Sequence, residues 1–470
     1  MEHNPKEHNA IMSIVCEYEA MNQRGDVGFL DEQKFLQLIE YYEQESMLEK
    51  ALEVIEHALE QYSFSAEFLL RKARLLLNSQ QFDDALYALD EADIFAPSDI
   101  QVELLRCKIY CQQGDFIRAQ MIVERLKVFA ELEDLAEVLL YESYLYESSK
   151  DFELMFESLK RVLMVDPLHE EALERIWQAT ELTRKYEESI NFHKKLIDRQ
   201  PYSSLAWYNL GQGYACIGEY EQAIDAYEYA FIVNEKFDQA YKDCAELCFQ
   251  IGRYDKALKH YQEALNEFGA DSELLAYAGD CCLQLSRLRE ARQYFHKAIR
   301  IDPYSDEAYY NLGISFSREG KWAQALNAFF KAIDIDDRIE DYHAAVADTY
   351  FQLGDLEKTE HYYRRAIDNG PELDDIWVKF IRFYLDRDQA EMAMDVLDEA
   401  EAYTVSTELL YLRAACHFLL GERKEGLEYL SEALMEDCTM HECIFQLVPN
   451  LMADEEVKSM IKYYSCETNG

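Results

Sequence analysis

The sequence has little of what builds strands and tight turns. Its 470 residues hold only 7 prolines and 16 glycines, which argues against a sandwich or barrel and for a mostly helical chain. Positive charge is also short: 46 basic against 92 acidic side chains leave a formal charge of −46. A sequence-independent nucleic-acid binder needs a basic surface for phosphates, so no nucleic-acid partner is expected. No apolar run approaches the roughly 18 residues of a membrane span, so no membrane partner is expected either. The opening residues, Met1 to His8, are polar and acidic where a signal peptide would be basic and then apolar. The twelve cysteines include no C-x-x-C pair and no recurring spacing. They read as reduced packing residues of a cytoplasmic protein. Hydrophobic residues at 49% are enough to fold, so the acidity does not mark a disordered tail.

The chemical motifs are missing as well. There is no G-x-x-x-x-G-K-[ST], no H-E-x-x-H and no G-x-S-x-G, so neither an enzyme nor a cofactor is expected. Gly211-Gln-Gly213 with Gly218 only superficially suggests a dinucleotide loop, since no strand precedes it. Cys107/Cys111 and Cys244/Cys248 are each four apart and could share a helix face with a soft metal. Cys107, Cys244 and Cys248 fall on core places of the repeat described next, so packing is the preferred reading. Cys438, His441 and Cys443 form a metal-like cluster without an evident fourth ligand. The acidic run Asp334, Asp336, Asp337, Glu340 and Asp341 lacks the central glycine and spacing of a calcium loop. No metal is expected.

What is present is a period of 34. Trp207, Leu210, Gly211, Tyr214, Ala223, Tyr227 and Ala230 align with Tyr241, Cys244, Ala245, Cys248, Ala257, Tyr261 and Ala264. The next copies give Leu275, Ala278, Gly279, Cys282, Ala291, Phe295 and Ala298, then Tyr309, Leu312, Gly313, Phe316, Ala325, Phe329 and Ala332. Twelve copies start at Glu32, Ala66, Ile100, Ala136, Glu170, Ser204, Asp238, Ser272, Asp306, Glu340, Asp374 and Thr407. Counting from each start, large residues at places 4, 7 and 11 follow helical spacing. Small ones at places 8, 20 and 27 let two antiparallel helices approach. Glycines at Gly114, Gly218, Gly252, Gly320 and Gly354 mark the turn between them. Pro97, Pro167, Pro201, Pro303 and Pro371, all at place 32, help stop the second helix.

These residues resemble the tetratricopeptide repeat, W-x2-L-G-x2-Y, A-x3-F, A and P, over about 410 residues. The resemblance implies an all-α, right-handed superhelical α-solenoid of antiparallel helix hairpins (TPR), with each first helix lining a concave groove. It implies three regions: a leading or capping helix over 1–31, the repeats over 32–440, and a C-terminal capping helix over 441–470. The leading helix carries Ile11, Ile14, Val15, Tyr18 and Met21 on one stripe, and could alternatively dock a partner. The trailing one carries Val457, Met460, Ile461 and Tyr464. Bulkier residues stand at the small places of two copies: Ser143, Met155 and Val162, then Trp177, Ser189 and Leu196. With two extra residues near 131–135, they predict irregular geometry over 130–200, as a flexible joint or, preferably, a repacked one.

Places 2, 5, 9 and 12 share the helix face opposite much of the buried stripe, and the resemblance makes this face the groove. Candidate partner-binding residues are Tyr208, Gln212, Glu246, Phe249, Glu273, Asp280, Glu307, Tyr310, Asp341, Asp348 and Phe351. Carboxylates with apolar residues between them suit a protein or peptide partner with basic side chains. The bland alternative is that they only keep the chain soluble. Family members that grip a C-terminal carboxylate use lysine, asparagine and arginine here. Lys242 is followed instead by Glu246, Glu273 and Asp280, so that clamp is absent. The expected function is a non-enzymatic protein–protein interaction scaffold. The alternative is a structural protein that self-associates through its terminal repeats. The sequence leaves the oligomeric state open.

Overall fold

A computed structural model describes residues 5–25, 27–97 and 99–467. Among the described residues it has 27 α-helices, two short 3₁₀ helices and no strand. The chain divides into two compact units, 1–240 and 241–470. The fold is all-α, built from antiparallel helix hairpins in succession.

The first unit opens with helix Pro5–Asn22 and continues as hairpins, of which Glu32–Gln44 with Leu48–Gln61 is the first and Ser204–Cys216 with Tyr220–Val233 the last. In the second unit the hairpins run from Tyr254–Phe268, paired with the preceding helix Asp238–Gln250, to Thr407–Leu420 with Arg423–Glu436. Small residues set the spacing within each hairpin. Ala223 and Ala230, Ala257 and Ala264, Ala291 and Ala298, and Ala325 and Ala332 are all fully buried at places 20 and 27. At place 8, a β-carbon added to Gly211 would stand 2.6 Å from the Tyr227 ring, and one added to Gly279 2.4 Å from the Phe295 ring. The first helices often begin on a side-chain cap: Ser203 accepts from the Ala206 amide and Asp271 from the Leu274 amide. At place 32 the prolines also serve as acceptors. The indole N–H of Trp207 donates to the Pro201 carbonyl at 2.8 Å, and Trp377 does the same to Pro371.

Over 130–200 the sequence and structure differ in detail. The fourth hairpin's first helix spans Leu132–Ser148, 17 residues. It starts four residues before Ala136, because the inserted residues extend it at its N-terminus. Polar groups enter the core at places that other copies fill with apolar side chains. Glu142 is only 1% exposed. It accepts from Lys127 at 2.7 Å, Ser158 at 2.8 Å and Arg161 at 3.1 Å. In the next hairpin Thr180, Ser189 and His193 form a buried chain that reaches Asn209 on the first helix of the hairpin after it. His193 Nδ1 lies 2.8 Å from the Ser189 carbonyl, and Asn209 Nδ2 lies 3.4 Å from Nε2 and donates to the Leu173 carbonyl. Along this stretch the core is therefore filled in part by buried, hydrogen-bonded polar groups.

At the chain ends, apolar faces lie on neighbouring hairpins. Val15 and Tyr18 are buried with Phe35, Leu38 and Ile39. At the other end Val457 is buried with Tyr411, Leu430 and Leu434, flanked by Met460, Ile461 and Tyr464. Residues 441–470 do not form a single capping helix. The helix Glu455–Glu467 is preceded by 3₁₀ turns at Cys438–His441 and Pro449–Ala453 and a short helix Glu442–Leu447. Pro449 cannot continue that helix, which is why the segment breaks. Of the two terminal regions expected from the sequence, residues 1–4 and 468–470 lie outside the described residues.

Candidate functional site

In the second unit, three first helices present carboxylates to one another: Asp238–Gln250, Ser272–Gln284 and Asp306–Ser317. Places 9, 9 and 2 of these helices bring Glu246, Asp280 and Glu307 to a cavity of about 220 Å³. Phe249, Gln250, Tyr261 and Tyr277 complete its walls. The Tyr261 and Tyr277 rings lie 5.6 Å apart, tilted by 33°. Glu273 stands at the edge and accepts from the Tyr277 hydroxyl at 2.9 Å, while Glu246 accepts from Gln250 at 3.1 Å.

Asp280 dominates the electrostatics. Its Oδ1 is buried and no protein group donates to it. Burial first, and then the charge of Glu307, push its carboxyl up to about 8. Glu307 is itself raised, by burial and then by Asp306 and Glu273. The Tyr277 hydroxyl is pushed up to about 12 by burial and its bond to Glu273. Among the described residues no cation pairs with these groups: every shift favours the protonated form, as a cluster of like charges in a poorly solvated place must.

The remaining candidates lie apart from this cavity. Tyr208 and Gln212 belong to the first unit. There Tyr208 packs its ring 4.9 Å from Phe237 and accepts from Gln212 Nε2 at 3.2 Å. Tyr310 sits 4.9 Å from the Tyr342 ring and packs on Phe329. Asp341 is exposed. Asp348 accepts from the Tyr363 hydroxyl and lies 3.9 Å from Lys379, and Phe351 packs edge-on to Phe383. Tyr261 was not legible as a lining residue, because its place 24 on the second helix is a core place elsewhere. Tyr277, at place 6, lies one residue beyond the places read as the groove face.

Among the described residues Cys438, His441 and Cys443 do not converge as metal ligands. Cys438 Sγ points to the Ile461 carbonyl at 3.8 Å, while His441 Nδ1 is 2.8 Å from the Cys438 carbonyl. No helix of the described residues is long and apolar enough to cross a membrane.

The comparisons agree with the helix pattern. Tetratricopeptide-repeat models match residues 36–100, 245–306 and 310–374, and a second such model matches 206–229. The chain belongs to the tetratricopeptide-repeat family. No curated relative matches it. Among solved structures, this repeat protein is similar to YrrB, described as a TPR protein with an unusual peptide-binding site. The identity is 21% over 38% of this chain and 93% of that one, with a TM-score of 0.33. It is also similar to the Cut9 and Hcn1 hetero-tetramer of APC/C, at 15% identity over 84% of this chain and 92% of that one, TM-score 0.37. PilF from Pseudomonas aeruginosa matches at 19% identity over 46% of this chain and 93% of that one, TM-score 0.35.

Proposed function

We propose that this tetratricopeptide-repeat protein is a non-enzymatic cytoplasmic scaffold that holds a protein or peptide partner by a basic side chain. The pocket of Glu246, Asp280 and Glu307 receives that side chain. The observation that carries the reading is Asp280: a buried carboxylate oxygen with no protein donor, inside a cavity walled by Phe249, Tyr261 and Tyr277. An ammonium or guanidinium group supplies the missing donors, and the ring faces attract the same charge. The repeat scaffold is preorganised, so little ordering is lost on binding. Neither a nucleic-acid nor a membrane partner fits an acidic surface of this kind.

The test uses fluorescent peptides bearing lysine or arginine between apolar residues, with glutamate-substituted controls. The intact chain should bind the basic set, and Asp280→Asn with Glu246→Gln should weaken binding by about tenfold or more. Equal binding of basic and acidic peptides, or no effect of the double substitution, would refute the reading.

A further inference from the structure

One hairpin of the second unit breaks the size pattern at three places together. Places 7 and 11, filled by Leu210 and Tyr214 in one copy and Leu312 and Phe316 in another, hold Cys244 and Cys248 here. Place 23, which is Ala226, Tyr294, Ala328 or Tyr362 in nearby copies, holds His260. The cysteines are four apart on helix Asp238–Gln250 and so share a face, while His260 projects from the antiparallel helix Tyr254–Phe268. All three are buried, and their ligand atoms lie within 4.8 Å of one another. Among the described residues they are the one such trio of histidine, cysteine or carboxylate groups. His260 Nδ1 lies 3.0 Å from a Glu263 carboxylate oxygen. That contact fixes the ring, as a carboxylate does when it orients a metal-ligating histidine.

We propose that Cys244, Cys248 and His260 bind a single zinc ion inside this hairpin, with Glu263 orienting the histidine. This departs from the packing reading that the cysteine spacing alone supports. Charge selects the ion. Two thiols lose their protons on binding, and two thiolates with a neutral imidazole balance the charge of a divalent cation in a buried site. Zinc–sulfur bonds near 2.3 Å place tetrahedral ligand atoms about 3.8 Å apart, so the trio need close by no more than about 1 Å. Three protein ligands leave the fourth position to a water molecule or another thiol. The ion would tie the two helices of one hairpin together, which is a structural role independent of the peptide pocket.

The experiment uses the full chain. Apo protein is titrated with Co²⁺ and followed by sulfur-to-metal charge-transfer absorption, and X-ray absorption is recorded on the Zn²⁺-loaded protein. One equivalent should bind, with two sulfur scatterers in the shell. Glu263→Gln should weaken Co²⁺ binding by about 10- to 100-fold, and Cys107→Ser with Cys111→Ser should leave it unchanged. A shell of oxygen and nitrogen only, or charge transfer that survives Cys244→Ser with Cys248→Ser, would overturn the site. If the latter pair does not fold, the wild-type absorption shell decides alone. Tighter denaturation midpoints with Zn²⁺ in the wild type, absent in His260→Gln, would add support. Unchanged midpoints in the wild type count against a structural ion.

Discussion

Gly313 and Phe329 touch so closely that a β-carbon on the glycine would stand 2.4 Å from the ring's Cε1. Place 8 of one helix and place 24 of its partner therefore form a single fitted pair, and the hairpin's spacing depends on it. Ala347 and Tyr363, both buried at the same two places of another copy, show that the fold accepts one methyl there. Gly313→Ala should then cost about 1 kcal/mol and Gly313→Val about 3, as overpacking does. Guanidinium denaturation of the two variants checks this. A valine variant as stable as the wild type would show that the pair does not set the spacing.

All twelve hairpins turn through a left-handed residue at place 15. Six are glycines with φ of 72–81°: Gly114, Gly218, Gly252, Gly320, Gly354 and Gly421. The other six are Ser46, Gln80, Lys150, Arg184, Ser286 and Asp388, with φ of 55–61°. A β-carbon at Gly218 meets nothing within 4 Å, so its cost is backbone alone. Gly218→Ala should lose about 1–2 kcal/mol, whereas Lys150→Ala, already in that conformation, should change stability by less than about 0.5 kcal/mol. Equal losses in the two denaturation curves would contradict this account.

What the sequence discloses follows from what each position must satisfy locally. Alanine at places 20 and 27 and glycine at place 8 are legible because only small side chains fit between touching helices. The carboxylates at places 2 and 9 are legible because helical period alone puts them on one face. Turn residues such as Lys150 and Arg184 carry no compositional sign of their left-handed backbone; only alignment with the glycines of other copies places them. The pocket was harder still. Asp280 depends on a neighbouring helix for burial and Tyr261 on the second helix of the preceding hairpin. Asp348 and Phe351 are taken up by Tyr363, Lys379 and Phe383. Long-range partners of this kind leave no trace in a 34-residue period. His260 joins Cys244 and Cys248 for the same reason only once two helices are folded together.

His193 is fully buried, and burial holds its imidazole down at about 4 despite a bond from Nδ1 to the Ser189 carbonyl. The unfolded histidine takes up a proton near 6.5 while the folded one does not. Its contribution is therefore intact above that value and lost as pH falls from 6.5 toward 4. Between pH 7 and 5 the wild type should lose about 2 kcal/mol relative to His193→Gln. Denaturant midpoints at the two pH values measure the difference. A gap between the proteins that stays constant with pH would mean that His193 is not held neutral.

The same linkage, with the opposite sign, governs the pocket. With its carboxyl at about 8, Asp280 is mostly protonated at neutral pH and cannot pair with a cation until it ionises. It faces Glu246 and Glu307 across the cavity, with the Tyr261 and Tyr277 hydroxyls in the walls and Glu273 at the edge. A bound lysine, itself charged throughout this range, must expel that proton. Affinity for a lysine peptide should rise about tenfold from pH 6 to 7, more slowly toward 8, and then level off. Asp280→Asn removes the titrating group, so its profile should be flat. Anisotropy titrations of both proteins at pH 6, 7, 8 and 9 make the comparison. Because the carboxylate would otherwise be buried without a donor, the asparagine variant should also be more stable than the wild type at pH 9. A wild-type affinity that does not change with pH would show that Asp280 takes no part in binding.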